Sequence, residues 1–268
     1  MEDSKSKEVM NPFSPLFSVQ RIDLDKKQEG MLINGDCLQM LGFIHDETVD
    51  MLLTDPPYSS GAMYATGRKQ TTSAKYLDNA YGGVDLPDFV GDNRDLRSWT
   101  RYMAWVLQSY YPKMRQGGIV AVFCDWRQLP SLTDALQMAG YIWRGIVPWD
   151  KKNSRPHANM YRNQCEYVVW GTKGALRKDV SIYGPGIVTG AMPLKGRIHQ
   201  TQKPVEILEQ LMQLLPPNSV VVDPFMGSGS TAIAAKKQGH RFYGAEIEWS
   251  YFEQAEKRIE EFRDKEEE

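Results

Sequence analysis

Cysteine is scarce in this chain of 268 residues: Cys37, Cys124 and Cys165 lie far apart, and no C-x-x-C pair occurs. Neither a disulfide framework nor a thiolate zinc site has a basis in that pattern. Histidine is nearly as rare, with His45, His157, His199 and His240 scattered, so no metal site is expected. No apolar run reaches membrane-spanning length, and the polar, charged N-terminus has no signal-peptide pattern. The chain therefore reads as cytoplasmic, with no membrane partner. The Gly-x-Gly-x-x-Gly turn of dinucleotide sites is missing, as is the Gly-Lys-Ser/Thr ending of a phosphate loop, which argues against both ligands. No internal repeat is present.

What the chain does have is concentrated in two places. The first is Asp55-Pro56-Pro57-Tyr58, directly after the apolar run Val49-Asp50-Met51-Leu52-Leu53-Thr54. That run reads as a buried strand closed by a turn. A carboxylate, two stiff residues and an aromatic ring thus stand at the carboxyl end of a strand, the edge where open α/β sheets bind ligands. Pro56 and Pro57 have a fixed φ and no N–H, so the tetrad is expected to aim free backbone carbonyls. A carboxylate beside a fixed carbonyl can accept both hydrogens of a planar exocyclic amine, and Tyr58 can stack on the ring that carries it. The plainer alternative is a Pro-Pro turn that only ends a strand.

The second place is Val220-Val221-Val222-Asp223-Pro224-Phe225-Met226-Gly227-Ser228-Gly229-Ser230-Thr231. It reads as strand, Gly-rich turn and helix, the helix running from Thr231 to about Lys237 with Gly239 just past its end. Gly227 and Gly229 allow a ligand to approach the backbone closely, although tight packing alone also uses glycine. The next strand, Arg241–Ile247, contains Glu246, 23 residues beyond Asp223. An acid at that place in a βαβ unit can hold the two hydroxyls of a ribose.

Together these residues resemble the DNA methyltransferases that methylate amino groups, at adenine N6 or cytosine N4. Asp55-Pro56-Pro57-Tyr58 is similar to the family's catalytic motif, and Asp223–Gly229 to its S-adenosyl-L-methionine loop. His199-Gln200-Thr201-Gln202-Lys203-Pro204 resembles the segment that precedes that loop and closes over the methionine part of the cofactor. Asn34-Gly35-Asp36-Cys37 resembles the short element ahead of the catalytic strand. The catalytic motif comes first and the cofactor loop last, an order similar to the permuted beta group. Ser230 stands where the family more often has threonine, and Thr231 follows it.

The resemblance implies an α/β, Rossmann-like fold: a seven-stranded, mostly parallel sheet with one antiparallel strand and helices on both faces. It places one methyltransferase domain at 31–268 behind an N-terminal arm at 1–30. It implies catalytic roles for Asp55, Pro56, Pro57 and Tyr58. The implied cofactor set is Asp36, Cys37, Asp55, Lys203, Asp223, Phe225, Gly227, Ser228, Gly229, Thr231, Glu246 and Ile247. Asp36 would face the cofactor's adenine, Glu246 its ribose, and Asp223 and Phe225 its methionine and sulfonium. The implied activity is methylation of a flipped adenine at N6 in double-stranded DNA. A homodimer and a cognate restriction nuclease are partners compatible with the family. Cytosine N4 chemistry shares the geometry, though such members more often carry serine at the position of Asp55. Methylation of RNA or of a protein glutamine uses a similar tetrad that usually begins with asparagine. A non-catalytic DNA-binding homologue would keep the fold, and the intact Asp55 and Tyr58 argue against it.

The net charge of −2 hides an asymmetry. From Arg144 to Lys203, eleven Lys/Arg face three acids, a net of +8; from Glu246 to Glu268, ten acids face four bases, a net of −6. The basic stretch also carries Trp149, His157, Asn159, Tyr161 and Asn163, a mixture suited to a nucleic-acid groove. An ordinary solvated loop is the alternative. Arg68, Lys69, Lys151, Lys152, Arg155, Arg162, Lys195 and Arg197 are the expected DNA contacts. Two insertions are expected to stand apart from the sheet. Ser59–Arg97 begins directly after the tetrad and reads as a lid or DNA loop. Gly174–Arg197 lies where the permuted group places its target-recognition region, and is short for one. The helix from about Trp99 to Tyr110 is expected to be capped by Ser98, and the last helix by a Ser250/Glu253 capping box.

Overall fold

A strand that is apolar on both faces needs helices on both sides. Val49–Thr54 is buried at every position and sits in the middle of the sheet. The structure is a computed structural model that describes residues 7–10, 18–23, 30–58, 94–156, 158–178, 181–192 and 202–267. Its strands are β1 (Lys7–Met10), β2 (Ser18–Asp23), β3 (Gly30–Asn34), β4 (Val49–Thr54), β5 (Met114–Cys124), β6 (Ile142–Asp150), β7 (Cys165–Thr172), β8 (Val188–Thr189), β9 (Val220–Asp223) and β10 (Arg241–Glu246). They form one sheet in the order β1-β2-β3-β10-β9-β4-β5-β7-β6-β8. The α-helices are α1 (Leu96–Tyr110), α2 (Leu129–Met138), α3 (Val205–Met212), α4 (Ser230–Lys237) and α5 (Trp249–Glu267).

The seven strands from β3 to β6 make the expected sheet. β3, β10, β9, β4 and β5 run parallel, and β7 is antiparallel to both β5 and β6. Ten strands are hydrogen-bonded rather than seven among the described residues, because both edges are extended. β1 and β2 form an antiparallel hairpin on β3, so part of the expected arm is paired backbone. β8, inside the stretch 174–197, adds two residues to β6. Such short edge strands are held by ladder bonds, which leave no periodic signature in composition.

Alternation along β4 decides which helix covers which residue. Leu52, with Val120 and Val122 of β5, packs under Met103, Val106 and Leu107 of α1 and Leu132 and Leu136 of α2. Met51 and Leu53, with Ala121 and Phe123, face Ile207 and Leu211 of α3, Ala234 and Ala235 of α4 and Phe252 and Ala255 of α5. Among the described residues no helix is long and apolar enough to cross a membrane.

Two helix starts differ from expectation. Asp95, not Ser98, caps α1: its Oδ1 accepts from the N–H groups of Arg97 and Ser98 at 3.1 Å each, and Ser98 donates its hydroxyl to Asp95 Oδ2 at 2.7 Å. An ionised carboxylate can take all three hydrogens, and its charge suits a helix N-terminus. At α5 the expected capping box is replaced by a hydrogen bond from Ser250 Oγ to Glu248 Oε1 at 3.4 Å, two residues earlier.

The connections place the site. From β4 the chain leaves for β5 through α1, and from the adjacent β9 it leaves in the other direction for β10 through α4. The two strand ends therefore part, and a crevice opens between them at this switch point. Trp99 of α1 is buried against the crevice floor and donates its indole N–H to the carbonyl of Pro57 at 2.7 Å. Trp99→Phe keeps the packing and removes that donor. It should lower stability by about 1–3 kcal/mol, the cost of a buried acceptor left unpaired. Chemical denaturation checks this; an unchanged midpoint would show that the tetrad does not rely on the indole.

Candidate active site

Both sequence motifs open onto one cavity of about 590 Å³ in this crevice, with Asp36, Asp55, Tyr58, Lys203, Phe225 and Glu246 among its walls. That volume is in the range that holds a small cofactor.

Asp223 fastens the two motifs together. Its Oδ1 accepts from the Thr54 hydroxyl at 2.6 Å and from the Phe225 N–H at 3.0 Å, while its Oδ2 accepts from the Thr231 hydroxyl at 2.6 Å. Thr54 immediately precedes the tetrad Asp55–Tyr58, so one buried carboxylate sets the distance between tetrad and Gly-rich loop. Expected beside a sulfonium, Asp223 is placed with both oxygens engaged by the protein itself. Burial pushes its carboxyl up to about 6, against the pull of those donors.

The turn that follows needs its glycines. Gly227 and Gly229 have φ of 52° and 76°, the left-handed region that glycine enters freely. A Cβ on Gly229 would also lie 3.1 Å from Ile259 Cδ1 and 3.2 Å from Ala255 Cβ, so α5 packs directly against the loop. Arg258 of α5 donates to the Ser228 carbonyl at 3.0 Å and to Ser230 Oγ at 2.9 Å. Glu246, at the end of β10, accepts from the N–H of Gly227 and of Glu248 at 2.9 Å each. Burial raises its carboxyl to about 7, although both backbone donors oppose the rise. Asp36 is exposed and its Oδ1 accepts from the Leu38 N–H at 2.9 Å. Cys37 is buried, with a thiol pushed up to about 12 by burial and by Asp36. Phe225 packs at a tilt against Tyr102, and Ser228, Thr231 and the half-exposed Ile247 complete the expected lining.

The tetrad Asp55–Tyr58 is held by charges that come from far along the chain. Lys203 is buried; its Nζ lies 2.5 Å from Asp55 Oδ2 and 3.2 Å from Glu166 Oε2. Glu166 also accepts from the Tyr58 hydroxyl at 3.1 Å and pairs with Lys151 at 3.3 Å. Asp55 Oδ1 is buried with no hydrogen-bond partner. Burial raises the Asp55 carboxyl; Lys203 opposes this and Glu166 adds to it. For Glu166 burial acts the same way, but Lys203 and Lys151 outweigh it and hold the carboxyl below its ordinary value. Gln128, fully buried, donates to the Tyr58 carbonyl at 2.5 Å. Of the two proline carbonyls expected to be free, that of Pro57 accepts from Trp99, while no described residue donates to that of Pro56.

The expected DNA contacts divide. Lys151 turns inward to Glu166 and lines the cavity, and the half-exposed Lys152 pairs with Asp150 at 2.8 Å. Arg155 and Arg162 are exposed on the loop that joins β6 to β7, on the side of the Asp55–Tyr58 tetrad. Arg68, Lys69, Lys195 and Arg197, and the segment His199–Thr201, lie outside the described residues. Glu166, Trp99, Gln128 and Arg258 were not marked by sequence reasoning. Only Glu166 left a trace, as the one acid in an otherwise apolar or aromatic run, Cys165–Trp170.

A buried carboxylate at the switch point, facing a glycine turn and an acid-ended strand, defines a nucleoside-binding α/β enzyme. The family model described as DNA methylase, covering N6 and N4 enzymes, matches residues 49–183 and 188–257. The type II methyltransferase M2.LlaDCHI of Lactococcus lactis subsp. cremoris is 27% identical over 257 residues, covering 87% of this chain and 90% of its own. The type II methyltransferase M.HinfI of Haemophilus influenzae is 26% identical over 260 residues, covering 87% and 68%. The crystal structure of the M1.HpyAVI–SAM complex matches with a TM-score of 0.61 at 22% identity, over 85% of this chain and 98% of that one. The cytosine-N4-specific PvuII DNA methyltransferase matches with a TM-score of 0.62 at 14% identity, over 88% and 90%. The chain belongs to the N6/N4 DNA methylase family.

The raised carboxyls of Asp223 and Glu246 have a consequence for the free protein. Each titrates at a lower pH in the unfolded chain than in the fold, where they reach about 6 and about 7. Protonation therefore favours the fold. Their contribution is fully present below the unfolded pKa values and is lost as pH rises through the folded ones. Between about pH 5 and about pH 8 the wild type should lose more stability than an Asp223→Asn, Glu246→Gln double variant, as read by chemical denaturation. Equal losses would mean that other groups set the pH dependence.

Proposed function

We propose that the protein transfers a methyl group from S-adenosyl-L-methionine to N6 of an adenine flipped out of double-stranded DNA. The observation that carries this reading is the buried, unpartnered Oδ1 of Asp55, next to the buried Thr54 that ties it to the glycine loop's strand through Asp223. The order of motifs, tetrad first, resembles that of the permuted group.

The residues present suit the cofactor. Glu246 and Asp36, at the ends of the adjacent strands β10 and β3, offer carboxylate oxygens toward ribose and adenine. Gly227 and Gly229 open the backbone beside them, and Phe225 supplies an apolar wall. When bound, S-adenosylmethionine supplies a methyl group made electrophilic by its sulfonium. The chain's own work is on the base. The lone pair of an exocyclic amine is spread into the ring, which makes it a poor nucleophile. Asp55 Oδ1 and the Pro56 carbonyl, accepting its two hydrogens, return density to nitrogen, so that the gain comes from positioning and electrostatics. A base reaches this edge only by leaving the duplex, and Tyr58 is the ring on which it would rest. Arg155 and Arg162 would meet phosphates. A cytosine N4 substrate fits the same two acceptors; Asp55, where such enzymes more often carry serine, favours adenine.

Asp55→Ala should abolish methyl transfer to DNA from tritiated cofactor while calorimetric cofactor binding stays within a few-fold. Surviving turnover, or loss of binding, would remove Asp55 from the role given to it. Glu246→Ala should instead weaken cofactor binding by about 1–3 kcal/mol, the range for hydrogen bonds to a charged group. An unchanged dissociation constant in a folded variant would place the ribose elsewhere.

A further inference from the structure

Three polar groups meet on Glu166. Its Oε2 accepts from the Tyr58 hydroxyl at 3.1 Å and lies 3.2 Å from Lys203 Nζ, and its Oε1 lies 3.3 Å from Lys151 Nζ. Lys203 holds Asp55 Oδ2 at 2.5 Å with the same ammonium group. Two ammonium and two carboxylate groups thus balance in a site closed to water on most sides. An ammonium shared by two acceptors is fixed in direction as well as in charge. We propose that Glu166 is a positioning residue of the methyl-transfer centre: it holds Lys203 and Tyr58 so that Asp55 keeps Oδ2 tied and presents Oδ1 to the substrate amine. The inference rests on the function proposed above.

The alternative is that Glu166 only fills space in the β7 wall. The surroundings of Asp55 separate the two. Facing it are Lys203 from the segment before α3, Glu166 from β7, Tyr58 of its own tetrad, Asp223 from β9 and Cys124 from β5. The Cys124 thiol is pushed up by burial and stays neutral. Asp223 is already engaged by Thr54, Thr231 and the Phe225 N–H. Glu166 is therefore the negative charge that competes with Asp55 for Lys203. Without that competition Lys203 is drawn wholly to Asp55, and the Asp55 carboxyl ionises more readily. A residue acting only through packing would leave the titration of Asp55 where it is.

The test is single-turnover methyl transfer from tritiated S-adenosylmethionine to unmethylated plasmid DNA, followed across pH, with calorimetric cofactor binding beside it. Glu166→Gln should bind the cofactor within about twofold of the wild type and slow transfer about tenfold or more, as misplaced reacting groups do. The acid limb of its rate profile should move to lower pH. Glu166→Asp, which keeps the charge on a shorter arm, should slow transfer and leave the limb in place. A wild-type rate in Glu166→Gln, or a slower rate with an unmoved limb, overturns the proposal. Should Glu166→Gln fail to fold, Glu166→Asp decides alone: a wild-type rate overturns the proposal, and a slowed rate with unchanged cofactor binding supports it. A wild-type protein that transfers no methyl to DNA fails the proposed function itself, and the inference falls with it.

Discussion

One ammonium group, Lys203 Nζ, shared between the buried carboxylates of Asp55 and Glu166, holds the tetrad side of the cavity together. Burial alone drives both carboxyls toward the neutral acid, and Lys203 opposes this at each, joined by Lys151 at Glu166. Removing one member of such a buried set leaves the others uncompensated, at a cost of about 3–5 kcal/mol. The arrangement also explains why one Asp55 oxygen is engaged and the other is not. Lys203 takes Oδ2, and Oδ1 is left as a buried acceptor without a donor. A buried acceptor in that condition is unfavourable in the free protein and favours whatever donor fills the site.

The second constraint is mechanical. Asp223 grips Thr54 on β4 and Thr231 on α4 at 2.6 Å each, so that the tetrad and the glycine turn are tied to one carboxylate. The strand order makes this grip possible. β4 and β9 are neighbours, and their chains leave in opposite directions, which opens the crevice above them. α5 closes the back of the turn through Arg258 and through Ala255 and Ile259. The binding edge of the loop is thereby fixed from behind while its front faces the cavity.

The parts of the site that were legible in the sequence are those written in local backbone chemistry. Asp55-Pro56-Pro57-Tyr58 after an apolar run, and Gly227 and Gly229 between a strand and a helix, announce their geometry within a few residues. The alternation of strands and helices likewise implied a mainly parallel sheet, while the seven central strands with one antiparallel came from the family resemblance. Partnerships across the chain were not legible. Lys203 is 148 residues from Asp55, and Glu166 is 108 residues from Tyr58. No spacing rule connects such positions, since the sheet order that joins them is a property of the whole fold. Lys151 counted toward a basic surface because charge counts do not record burial, and the structure sets it against Glu166. Asp223 belonged to the right motif, but a sequence cannot show that both its oxygens are occupied within the protein. β1, β2 and β8 lie at sheet edges, where ladder bonds rather than side-chain patterns hold a strand.

The central claim is that Asp55 and its buried partners act on the amino group of adenine. It is tested most directly by expressing the chain in a host free of DNA methylation and mapping modified bases in the genome at single-base resolution. The account predicts N6-methyladenine, absent from a control that carries no copy of the chain. N4-methylcytosine in its place, or a genome without modified bases despite folded protein that binds S-adenosylmethionine, would contradict it.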